Sequence, residues 1–169
     1  MTSSPTGRLF STATGTDLVL YRTFRAPIED VWASVTESDR TARWFGPWEG
    51  DAGQGNTIKV QMSQEEQAPW FDMRIDVCDP PRRLAVSAVD ESANMRLELL
   101  LSFTEGLTEL RLVHHLDNTE TVVDYGPGWE YYLDMLVAAR DGLPTPSFTD
   151  YDPSMRPYFE ALRTDFSSS

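Results

Sequence analysis

The sequence predicts an α+β fold in which a curved antiparallel sheet wraps around one long C-terminal helix. Three observations carry the prediction. Ile28, Val31, Trp32 and Val35 recur at helical spacing near the start; from Trp48 to about Leu116 apolar and polar residues alternate; and helical spacing returns between Trp129 and Asp141. Spacing of i, i+3, i+4, i+7 marks one face of a helix, whereas alternation marks one face of a strand. A sheet with one apolar face needs cover, and the late helix is the element placed to supply it.

Residues 1–16 are small and polar and read as a flexible N-terminus. The first strand is expected over Asp17 to Phe24, between Gly15 and Ala26-Pro27. Pro27 suits the first turn of a helix, where its missing N–H is harmless, and Glu29 and Asp30 favour the helix dipole. That helix should stop at Thr36-Glu37-Ser38, and a second short one should run from Ser38 towards Trp44.

A meander of strands is expected next. Ile58, Val60 and Met62 share a face, as do Phe71, Met73, Ile75 and Val77, and then Met95, Leu97, Leu99, Leu101 and Phe103. The intervening Asp72, Arg74, Asp76, Arg96 and Glu98 read as the solvated face. Turn residues at Gly53-Gln54-Gly55, Asp79-Pro80-Pro81, Asp90 to Asn94 and Glu105-Gly106 separate the strands. The last strand, Leu107 to Leu116, places Leu110, Leu112, His114 and Leu116 inward.

Gly126-Pro127-Gly128 reads as a turn before the long helix, whose stripe is Trp129, Tyr132, Leu133, Leu136 and Arg140, with Gly142 as its stop. The predicted domain therefore covers 17–142. Residues 143–169 form a Pro-rich connector and a short amphipathic tail, with Asp152 as N-cap, Pro153 at the first helical position, and Met155, Tyr158, Phe159, Leu162 and Phe166 on one stripe. The stripe could cover the sheet's outer face, cap a pocket mouth or meet a second copy in a homodimer.

The formal net charge of -13 and pI near 4.4 argue against a nucleic-acid partner, because phosphate would be repelled. Cys78 is the single cysteine, so no internal disulfide is expected and the thiol reads as a small buried hydrophobe. No segment has the length and apolarity of a membrane span or signal peptide, which predicts a cytoplasmic protein without membrane insertion. No metal-ligand cluster, phosphate loop or nucleophile motif stands out, and no cofactor is expected.

Four segments, in order, resemble one family: Ala26-Pro27-Ile28-Glu29-Asp30-Val31-Trp32; Trp44-Phe45-Gly46-Pro47-Trp48; Asp79-Pro80-Pro81-Arg82-Arg83-Leu84; and Gly128-Trp129 with Leu133, Leu136 and Gly142. The chain is similar to the START-like, or SRPBCC, superfamily, in its branch of homologues of the heat-shock protein 90 ATPase activator. The resemblance implies a helix-grip fold, of the birch-pollen-allergen type, with a cavity between sheet and terminal helix that often takes lipids, polyketides or other hydrophobic molecules.

On that architecture the candidate pocket residues are Trp44, Phe45, Phe71, Met73, Met95 and Leu97 from the sheet and its loops, and Leu112, His114, Trp129, Tyr132, Leu133 and Leu136 beyond them. Core packing explains Trp129 as well as pocket lining does, and a satellite cluster under a loop is the favoured reading of Trp44, Phe45 and Trp48. The expected function is binding of a hydrophobic small molecule. A cyclase or hydrolase using His114 or Tyr132 as a proton-transfer group is the alternative, set against His114 as a satisfied core residue. A third reading is a chaperone-associated or other protein-interaction module acting through the tail.

Overall fold

Arg8–Ser11 (β1) and Thr16–Phe24 (β2) form an antiparallel pair that begins the sheet. A computed structural model of the chain describes residues 4–90 and 95–167. Two helices follow β2, Ile28–Thr36 (α1) and Ser38–Thr41 (α2). Then come β3 (Trp48–Glu49), β4 (Thr57–Gln61), β5 (Trp70–Asp79), β6 (Arg83–Ala88), β7 (Arg96–Thr104) and β8 (Leu107–Leu116). Among the described residues all eight strands join one antiparallel sheet in the order β1-β2-β8-β7-β6-β5-β4-β3. Two helices close the chain, α3 (Val122–Asp141) and α4 (Phe148–Ser167). The turn expected at Asp90 to Asn94 lies, apart from Asp90, outside the described residues.

The alternation places the core where expected. Leu18 and Leu20 on β2, Leu97, Leu99 and Leu101 on β7, and Leu110, Leu112, His114 and Leu116 on β8 are all buried. They face Trp129, Leu133 and Leu136 of α3, so the long helix covers the concave face. Gly142 stops α3 as expected, in the left-handed conformation, with its N–H donated to the Ala138 carbonyl.

Several elements differ from expectation, each for a local reason. Residues 1–16, read as flexible, contain β1, and just before it the Thr6 side chain and the Gly7 N–H donate to the Glu130 carboxylate. Such long-range anchoring cannot be read from a polar N-terminal composition. Phe103 is 48% exposed because β7 runs beyond the helix-covered area towards the Glu105-Gly106 turn. A bulge between Ile75 and Val77 pairs Val77 with Ala85 and Cys78 with Leu84. It reverses the face of each later residue, so that Val77 leaves the Met73–Ile75 face and Cys78 joins it.

Gly126-Pro127-Gly128 is not a turn but lies inside α3, which begins at Val122. A β-carbon at position 126 would stand 2.5 Å from Phe159 Cδ1 of α4. The glycine is therefore the point at which two helices approach too closely for any side chain, rather than a chain reversal. Similarly α4 starts at Phe148, ahead of the Asp152–Pro153 start read from the sequence, and carries Pro153 and Pro157 within it. Its first turn is held from outside: Tyr131 packs edge-on against Phe148 and Tyr151, and the Tyr151 hydroxyl donates to Asp134 at 2.7 Å. The tail stripe packs within the chain, with Met155 and Phe159 buried and the Tyr158 hydroxyl bonded to the Gly7 carbonyl. The face that sequence offered to a second copy is occupied by α3 and β1.

Candidate functional site

The first cavity lies between the sheet, the C-terminal end of α1 and the α2–β3 loop, with a volume of about 150 Å³. Its rim is built on aromatic anchors. The last carbonyls of a helix have no partner within it, and here indole N–H groups supply some: Trp44 Nε1 donates to the Ser34 carbonyl at 3.0 Å, and Trp48 Nε1 to the Thr36 carbonyl at 2.8 Å. Both rings then stand in the cavity wall beside Phe45, rather than forming a satellite cluster. Gly46 is required by this loop, because a β-carbon there would come within 1.6 Å of the Gln61 carbonyl oxygen on β4.

The floor is the concave face of β4 to β8, including Met73, Leu97, Leu99 and Leu112, and Trp129 of α3 closes one side. Among the described residues Thr36 and Thr41 are the only lining hydroxyls, and both are engaged: Thr36 Oγ1 donates to the Trp32 carbonyl at 2.7 Å and Thr41 Oγ1 to the Gly46 carbonyl at 2.8 Å. Cys78 is the only ionisable side chain in the wall among the described residues. The described wall is thus apolar and holds no acid–base pair.

Trp129 also lines a second cavity, of about 270 Å³, on its far side, with Met95 and Tyr132. Phe71 and Met95 border a third, more open groove. The predicted set is therefore divided. Trp44, Phe45, Met73, Leu97, Leu112 and Trp129 meet at the first cavity; Met95 and Tyr132 belong to the second; Leu133 and Leu136 are core, 0% and 1% exposed, and line neither. Sequence reasoning did not name Val35, Leu99 or Cys78 as wall residues. Only the bulge brings Cys78 in, and nothing in the alternation signals it.

His114 is 0% exposed and lines neither cavity. Its Nδ1 accepts the Trp129 Nε1–H at 3.0 Å. An indole nitrogen only donates, so Nδ1 carries no proton and the neutral ring holds its proton on Nε2. The Tyr125 ring lies edge-on at 4.5 Å. His114 thus orients Trp129. The Tyr132 hydroxyl donates to Glu65 Oε1 at 3.1 Å; burial, reinforced by that carboxylate, pushes the phenol well above its usual range. Its hydroxyl is thus held as a hydrogen-bond donor to Glu65.

Two ionic clusters fix α3 over the sheet. Arg22 Nη2 lies 3.1 Å from Glu130 and 3.0 Å from Asp134. Arg140 Nη2 lies 2.7 Å from Asp30 of α1, and its guanidinium stands 5.4 Å from the Phe24 ring centre. On the outer face His115 bridges Asp17 and Glu98, each at 2.7 Å. Among the described residues no group of three His, Cys, Asp or Glu side chains is placed to hold a metal ion. No described helix is long and apolar enough to cross a membrane.

A sheet wrapped on a long helix, with an aromatic-rimmed apolar cavity between, defines a helix-grip protein. Comparison with known proteins narrows this. The family model described as Activator of Hsp90 ATPase homolog 1-like protein matches residues 25–140, and the chain belongs to that family. Among solved structures, CalU16 from Micromonospora echinospora is 27% identical with a TM-score of 0.73, the match covering 94% of this chain and 96% of that one. The protein encoded by BPP1335 of Bordetella parapertussis is 22% identical, with a TM-score of 0.70 over 95% and 94% of the two chains. DynU16, from the dynemicin biosynthetic locus, shares the fold at 20% identity and a TM-score of 0.63, over 78% of this chain and 50% of its own. A search of curated proteins gives no match.

Proposed function

We propose that the chain binds a hydrophobic small molecule, lipid or polyketide-like, in the first cavity, with Trp44, Phe45, Met73, Leu97, Leu112 and Trp129 as its contacts. The observation that carries this reading is the wall itself: almost wholly apolar among the described residues, with the Thr36 and Thr41 hydroxyls engaged by carbonyls. An apolar cavity of this kind gains free energy from an apolar guest and little from water. About 150 Å³ accommodates an aromatic ring or a short chain segment. The rest of a longer ligand would lie along the rim formed by Trp44, Phe45 and Trp48, and Met73 gives the floor some adaptability. DynU16, which shares the fold, belongs to a biosynthetic locus, in keeping with a small-molecule role. The reading includes a cytoplasmic setting and binding rather than turnover.

Native mass spectrometry of freshly purified protein provides the test. We expect a bound apolar species, or a rise in melting temperature when lipids or polyketides are added. A protein that carries nothing and is stabilised by none of them would overturn the proposal.

A further inference from the structure

The second cavity differs in kind from the first. Five rings line it, those of Tyr125, Trp129, Tyr131, Tyr132 and Phe148. Four of them form a connected set: Trp129 and Tyr132 are 5.7 Å apart, Tyr131 and Tyr132 5.5 Å, and Tyr131 and Phe148 5.4 Å between ring centres. Two exposed carboxylates, Glu65 and Asp124, stand at its border, and among the described residues no Lys or Arg lines it. Asp124 already has a cation, Arg156, at 3.2 Å. Glu65 has no cationic partner among the described residues; its Oε1 is held by the Tyr132 hydroxyl at 3.1 Å.

Aromatic faces attract cations, above all alkylated ones that shed water easily, and a nearby carboxylate supplies the counter-charge. A purely apolar guest would leave Glu65 unused, whereas an anion would be repelled by it. From this combination we infer that the second cavity binds the substituted ammonium group of a small molecule, enclosed by the rings and facing Glu65. Tyr132 holds the carboxylate in position, and the net charge of -13 draws cations towards the molecule. The inference stands independently of the first cavity's ligand.

Calorimetric titration of the full chain with choline and with its neutral isostere 3,3-dimethylbutan-1-ol, at fixed ionic strength, separates charge from shape. Choline should bind saturably and at least about tenfold more tightly than the alcohol, the range expected of cation–aromatic recognition aided by a carboxylate. Glu65→Gln, which keeps the acceptor for Tyr132, should remove most of that preference. No choline binding, equal binding of the two compounds, or an unchanged preference in Glu65→Gln would each overturn the inference.

Discussion

Arg22 occupies an inward position on β2 between Leu20 and Phe24, where alternation would place an apolar side chain. It is tolerated because α3 brings two carboxylates to it, one of them, Glu130, fully buried. Glu130 also accepts from the Thr6 side chain and the Gly7 N–H, so a single carboxylate joins the N-terminal segment, the sheet and the helix. Removing one member of a buried ionic cluster strands the rest, typically at about 3–5 kcal/mol. Arg22→Met should therefore lower unfolding free energy by roughly that amount, read by urea denaturation; a loss below about 1 kcal/mol, the worth of a surface pair, would show that the cluster is not a structural tie. At this scale the sequence was half legible. His114 was placed inward by the parity of β8, and is; its bond to Trp129, which makes it a positioning residue, depends on where α3 lies in space.

Helices α3 and α4 pack together where the Phe159 ring lies on Gly126. Two glycines in one helix consequently respond in opposite directions. Gly126→Ala must displace a fully buried ring, with a cost of about 1–3 kcal/mol. Gly128→Ala meets nothing within 4 Å and should stabilise by about 0.5–1 kcal/mol through helix propensity. Chemical denaturation of both variants decides the point; the same sign for both would refute this packing. Elements with strong periodicity, such as α1, β7 and β8, were legible in the sequence. The start of α3, the strand β1 and the first turn of α4 were not, because their turn-like or polar residues are organised by distant partners: Phe159 at Gly126, β2 beside β1, and Tyr131 beneath Phe148.

Across the whole molecule the acidic surface is offset where carboxylates join elements. Asp30 is held below the usual carboxylate range first by its hydrogen bond from Arg140, then by Arg140's charge and by Arg40, against the cost of burial. At Glu98, burial acts upwards but is outweighed by Arg83 and His115. A carboxyl with a lowered folded-state value adds stability that is present above its unfolded value and lost as pH falls through the folded one. Stability should thus decline on acidification below about pH 4, and Asp30→Asn should flatten part of that decline. Parallel urea curves at descending pH check this, and identical slopes in the two proteins would contradict it.

Much of the fold and the family were readable from four segments and two periods, and Met73, Leu97 and Leu112 of the first cavity's wall from parity alone. The division of that pocket by Trp129 was not, since it depends on one ring's orientation. The central claim is that the first cavity is a ligand site. Fluorescence titration with N-phenyl-1-naphthylamine, a neutral apolar probe, tests it most directly when wild type is compared with Leu99→Phe, which places a larger side chain in the cavity wall. The account predicts saturable one-to-one binding in the wild type, weakened about tenfold in a variant that remains folded by circular dichroism. Absence of saturable binding, or equal affinity in Leu99→Phe, would contradict it.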